Sequence, residues 1–329
     1  MPQGATISRH RRCASTLSSF GLGVFHRTYA THGGRRAEPK GLERGAVREE
    51  PVTMDLDIDA ETYLRGLAQQ PDAEIDIGEA ALVLAACDRQ RVALDRYRDH
   101  LGTLTEEVGA AAMAVDGLEG RVAALRAVFV ERHGYAGDTL TYDDLQNANL
   151  LRVIDRRKGL PVALGILLLA VAQRLDWDMV GLNFPGHFLL RLDCGGARAI
   201  LDPFEGCRER SVPDLRELLK AGGRPDAELL PSHYAPVGRR DVLLRLQNNI
   251  KLRLLQSKDA ARALRVVERM LWIAPGVPEL MREAALLNVH LGRLQTAIAQ
   301  LEAYLEVERG QQARHRMATL LQDLRNRLN

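Results

Sequence analysis

With 329 residues, 46% hydrophobic and 27% charged, the chain has an ordinary globular composition and length enough for two domains, which excludes fibrous and wholly disordered classes. The net charge of +2 is uneven: residues 1–52 hold nine Lys or Arg against four Glu, so the remainder is net −3 and nucleic acid is not an expected partner. The longest apolar run, residues 162–175, falls short of the roughly 20 residues that a membrane span needs, so no membrane is expected either.

Cys13, Cys87, Cys194 and Cys207 have neither zinc-site spacing nor the density of a disulfide scaffold. No two of the nine His fall at i, i+3 or i+4, so neither metal nor cofactor is expected, and the default setting is the reducing cytoplasm. Residues 1–53 are Arg-rich and acid-poor, without the apolar centre of a secretory signal. They read as a disordered basic leader or spurious upstream extension, with a mitochondrial transit peptide as the alternative.

From Met54 the chain reads as helical. Ile77, Ala81, Leu82, Leu84 and Ala85 share a face of a helix N-capped by Asp76 and expected to continue past Tyr97. Leu118, Val122, Leu125 and Phe129 mark a second helix that runs to about Arg132 and stops near Gly134. After a Gly-containing loop, residues 142–157 predict a third helix with Leu145, Asn149, Val153 and Ile154 on one side. Its terminal Arg156-Arg157-Lys158 reads as a solvated, dipole-complementing end in preference to an anion site. Gly159 and Pro161 then open a central helix whose residues 162–171 are all apolar or Gly, as a helix covered on nearly all sides would be. Residues 179–184, 188–192 and 199–201 have strand character, and Cys194-Gly195-Gly196 supplies a hairpin turn. The implied core is a buried helix on a small antiparallel sheet.

Three blocks carry a family resemblance: residues 147–164, Asn183-Phe184-Pro185-Gly186-His187-Phe188, and Asp202-Pro203-Phe204. In that order, around that helix, they resemble the transglutaminase-like domain of the SirB-type invasion-regulator family over residues 54 to about 235. The resemblance implies an α+β fold, a mainly helical transglutaminase-like (papain-like) core with a small antiparallel sheet. In active members of the wider superfamily a Cys at the N-terminus of the central helix is the nucleophile, a His the base and an Asp its orienting acid. His187 matches the base and Asp202 the acid, while the nucleophile position falls at or beside Pro161.

Proline cannot attack a carbonyl, and no Cys, Ser or Thr lies between Tyr142 and Cys194. Cys194, in a hairpin turn, and Cys207, beyond the Asp block, are not placed at a helix N-terminus. The expectation is a catalytically silent core, with Pro161, His187 and Asp202 as vestigial positions and Asn183, His187, Phe188, Asp202 and Phe204 as cleft binding residues. Each has a structural alternative: His187 as a core histidine, Asp202 as a turn residue before Pro203, Phe188 and Phe204 as core, Asn183 as a turn partner.

Beyond residue 237 a 34-residue self-similarity pairs Leu252 with Leu286, Ala263 with Ala297, Val267 with Leu301 and Leu271 with Leu305. That period marks tetratricopeptide helix pairs. The division expected is 54–237 for the first domain and 238–329 for an all-α tetratricopeptide-like tail, packed on the first domain and capped by a helix over residues 313–328. Arg253, Arg262, Arg265 and Arg269 form a candidate basic stripe for an acidic peptide, or a solvated face. The leading function is a non-enzymatic regulatory protein with an unidentified protein or peptide partner. The alternative is a thiol-protease-like hydrolase or acyltransferase that uses a displaced nucleophile, or water activated by His187, with Asp202.

Overall fold

The computed structural model describes residues 56–89, 92–221 and 227–328. The expected leader, residues 1–53, lies outside the described residues. The elements run α1 (Leu56–Leu67), α2 (Ile77–Ala86), α3 (Asp95–Ala112) and α4 (Gly117–Leu125), which continues as a π-helix over Arg126–Arg132. Next come β1 (Ala136–Gly137), a 3-10 turn at Leu145–Ala148, α5 (Leu150–Arg156), β2 (Lys158–Gly159) and the central α6 (Pro161–Arg174). Then follow β3 (Asp178–Leu182), β4 (Leu190–Cys194), β5 (Ala197–Asp202), β6 (Arg208–Glu209), α7 (Val212–Ala221) and β7 (Pro236–Val237). The chain closes with α8 (Arg239–Gln256), α9 (Ala260–Ile273), α10 (Pro278–His290), α11 (Leu294–Val307) and α12 (Gln311–Leu328).

Two helix boundaries differ from the sequence reading. The first helix does not continue past Tyr97: α2 ends at Ala86 and α3 starts at Asp95. There the chain turns to a tertiary contact, Arg269 of α9 donating to the Cys87 carbonyl at 3.0 Å and to Asp88 at 2.7 Å. The helix expected from residue 142 begins only at Leu150, because Asn149 is its N-cap and accepts from Arg152 N at 3.2 Å. The same Asn149 donates to the Ala85 carbonyl at 2.9 Å, which joins α5 to the end of α2.

Elsewhere the local chemistry acts as its residues suggest. Asp76 caps α2 by accepting from Glu79 N at 2.9 Å, and Gly134 supplies the left-handed residue (φ +69°) after the π-helix. Gly195 and Gly196, both at positive φ, close the β4–β5 hairpin as a two-residue turn of this kind requires. The five-stranded sheet is antiparallel throughout, in the order β6-β5-β4-β3-β7, while β1 and β2 form a separate short parallel pair. Leu190 faces Leu201 and Leu192 faces Ala199, all four buried in one core with α6.

α6 is the hub, with eleven of its residues buried against α2, α3, α8 and β3. Val242, Leu243 and Leu246 of α8 join that core. The N-terminus of α8 is capped from a distance: Asp72 accepts from Arg239 N at 2.7 Å and from Arg240 N at 2.8 Å. The chain ends in a tetratricopeptide-like helical tail, with α9 resting on α1 and α12 covering α11 through Leu301, Leu321 and Leu324. Among the described residues no helix is long and apolar enough to cross a membrane.

Candidate functional site

The site is built around the first turn of α6. Leu160 donates its N–H to the Asn147 carbonyl at 2.8 Å, and Pro161 takes the first helical position, where its missing N–H costs nothing. One turn on, Gly165 is what lets the two strand blocks close on the helix. A Cβ there would lie 2.3 Å from Cε1 of Phe188 and 3.5 Å from Cγ of Pro203. Phe188 and Pro203, neighbours of His187 and Asp202, therefore pack on the face of α6 that carries Pro161 and Gly165.

His187 follows the tight turn of Pro185 and Gly186 (φ +74°), its ring edge-on to Phe184 at 6.2 Å. The half-buried imidazole makes no side-chain hydrogen bond among the described residues. Burial pushes its pKa below the ordinary histidine value; Asp202 opposes that shift, and Arg210 and Arg245 reinforce it. The ring is thus held toward its neutral form within the field of Asp202, without contact between the two side chains.

Asp202 is engaged elsewhere. Its Oδ1 accepts from the backbone N–H of Phe204 at 3.0 Å and of Glu205 at 3.3 Å, an Asx turn. Its Oδ2 accepts from Arg210 Nε at 3.1 Å and Nη2 at 2.6 Å, and both partners are buried. A carboxylate so occupied holds a turn and a guanidinium; it does not hold the imidazole.

The remaining sequence candidates separate. Phe188 belongs to the main core, whereas Phe184 lies in a second cluster with Leu182, Leu189, Leu215 and Leu219. Phe204 is half-buried, its ring covering Gly137 and meeting Tyr142 edge-on at 5.8 Å. Asn183 donates its backbone N–H to Ala235 beside β7, and nothing joins its side chain to the others. Cys207 is 3% exposed and burial pushes its thiol up to about 12, the reverse of an activated nucleophile. Cys194 ends β4, paired with Ala197 across the hairpin. Among the described residues no group of three or more His, Cys, Asp or Glu is placed to hold a metal ion.

Sequence reasoning missed the arginines. Arg210 and Arg245 both border His187, the second from α8, where Nη2 donates to the His187 carbonyl at 2.7 Å. Of the triplet read as solvated, Arg156 donates to Asp138 and to Asn147 Oδ1, both at 2.8 Å, and so ties down the loop before α5. Arg157, in a left-handed conformation (φ 59°), reaches His100 and Tyr135, each at 2.6 Å. The proposed basic stripe does not form one surface: the Arg253 side chain is covered and pairs with the exposed Asp143, Arg269 is buried and pairs with Asp88, while Arg262 and Arg265 stay exposed. Only the fold reveals most of these pairings, since they span elements distant in sequence.

Comparison with known proteins fits this architecture. The profile of the transglutaminase-like superfamily matches residues 95–248, and a tetratricopeptide-repeat profile matches residues 250–322. A UPF0162 protein of Xylella fastidiosa (strain Temecula1) is 32% identical over 190 residues, 57% of this chain and 68% of the relative. A UPF0162 protein of Vibrio cholerae is 30% identical over 233 residues, 70% of this chain and 86% of the relative. Protein SirB1 of Salmonella typhimurium is 28% identical over 183 residues, 55% of this chain and 68% of the relative. No solved structure matches the chain.

Proposed function

The chain belongs to the family of UPF0162 proteins and SirB1, and on that premise we propose that it is a regulatory binding protein whose transglutaminase-like cleft is catalytically silent. The observation that carries this reading is the fate of the triad positions. The first residue of α6 is Pro161, which has no nucleophile, and the carboxylate of Asp202 bonds to Arg210 and not to His187. Without a nucleophile there is no acyl intermediate, and without an Asp–His hydrogen bond nothing fixes the imidazole tautomer that a general base needs. The tetratricopeptide-like tail adds the kind of helical surface that holds peptides. On this reading residues 54–237 supply the cleft, residues 238–329 buttress it and extend the binding surface, and the protein acts in the cytoplasm on a protein partner, without nucleic acid or cofactor.

The hydrolase alternative keeps one supporting fact, a half-buried imidazole held neutral and so able to accept a proton from water. Purified full-length protein incubated with glutamine-containing peptides and a primary amine discriminates the two. The expected result is no deamidation, transamidation or cleavage above buffer; turnover that disappears in His187→Ala would overturn the silent-cleft reading.

A further inference from the structure

Three arginines lie around His187 and Tyr142, and two are neutralised. Arg210 is paired with Asp202 and with Glu205 (3.1 Å), and Arg253 with Asp143 at 3.3 Å. Arg245 has no carboxylate partner among the described residues. Its guanidinium lies over the Phe188 ring, 5.3 Å from the centroid, and spends one N–H on the His187 carbonyl. Nε and Nη1 have no acceptor among the described residues and are not sealed from water, since neither is among the buried unpaired atoms. Burial lowers the Arg245 pKa, opposed only by the Tyr142 phenol, so the charge is partly desolvated without compensation. A half-buried guanidinium stacked on an aromatic ring with free donors is well suited to a planar anion.

We propose that Arg245, stacked on Phe188 beside His187, is the anion-recognition point of the cleft and seats a side-chain carboxylate, Asp or Glu, of a partner peptide. The charge count favours a carboxylate over a phosphate: one unmatched cation balances one negative charge, whereas a phosphate brings up to about two. Phe204 and Tyr142, the one half-buried and the other exposed, offer aromatic surface for the residues that flank the acid. This assignment rests on the silent-cleft reading, whose partner chemistry it specifies.

The test immobilises the full-length protein and passes over it a randomised library of acetylated, amidated hexapeptides. Asp or Glu at one position is expected to be enriched about tenfold over Asn or Gln, as loss of a charge-assisted hydrogen bond implies, and Arg245→Gln should erase that preference. Should Arg245→Gln prove unfolded by circular dichroism, Arg245→Lys, which keeps the charge and loses the fork, should weaken retention of the enriched peptides several-fold. No retention, retention without acid preference, preference unchanged by either substitution, or complete displacement by an equal concentration of inorganic phosphate would each overturn the proposal. Mass spectrometry of the eluate separates the two readings: cleaved acidic peptides would end the silent-cleft reading and leave the Arg245 assignment standing.

Discussion

Arg210 donates twice to a single oxygen of Asp202, at 2.6 and 3.1 Å, with both side chains buried, and so occupies the carboxylate that a working triad would turn toward His187. Removing one partner strands the other's charge in the interior. Arg210→Met is therefore expected to destabilise the fold by about 3–5 kcal/mol, whereas His187→Ala, which breaks no side-chain hydrogen bond, should cost about 1 kcal/mol. Urea unfolding of the two variants checks the contrast; equal losses would mean that the imidazole is as deeply tied into the structure as the ion pair.

His100 gives the fold a pH dependence. Burial first, then Arg157 and His133, lower its pKa to about 4. The unfolded chain binds a proton near 6.5, the folded imidazole only near 4, so stability is full above pH 6.5 and falls as the pH drops through that window. Because the ring is partly exposed, solvent screening reduces the effect to about 1–2 kcal/mol. Thermal melts from pH 7 to 4 should show a shallower decline in His100→Gln than in wild type.

Gly165 and Phe188 define the closeness of helix and sheet. Gly165→Ala gains helix propensity but sets a methyl 2.3 Å from the ring, so a net loss of about 1–2 kcal/mol is expected. Phe188→Leu in the same chain should return part of it, by relieving the overlap. A double-mutant cycle in urea measures the coupling, and strict additivity would show that the ring moves aside freely.

Lys251 of α8 is 2% exposed and forms an ion pair with Glu283 of α10. Glu283→Ala leaves that ammonium buried and unpaired, an expected loss of about 3–5 kcal/mol, while replacing both partners with apolar residues, Lys251→Met with Glu283→Leu, should be near neutral. Chemical denaturation of both variants tests whether the pair or its apolar surroundings hold the tail together.

The buried Cys207 should be the slowest described thiol to react. With its pKa pushed up to about 12 and 3% exposure, it is expected to resist a thiol reagent at pH 7.5 until the protein unfolds. Peptide mapping after timed labelling measures this; rapid, His187-dependent labelling of Cys207 would restore the displaced-nucleophile mechanism.

The sequence by itself determined the local frame. The apolar run of α6 could only be a covered helix, Pro161 could only begin it, Gly195 and Gly196 set the hairpin, and the 34-residue period marked the paired helices of the tail. It also determined that no nucleophile stands at the first turn of α6, because that is a matter of residue identity. Tertiary structure decided how charges are matched. Asp202 pairs with Arg210, Arg156 with Asp138, Arg269 with Asp88, and Arg245 with no carboxylate among the described residues, although all four arginines look alike in sequence. A guanidinium carries the same charge wherever it lies; which carboxylate it meets, and how much water is left around it, depends on elements brought together across as many as 181 residues of chain.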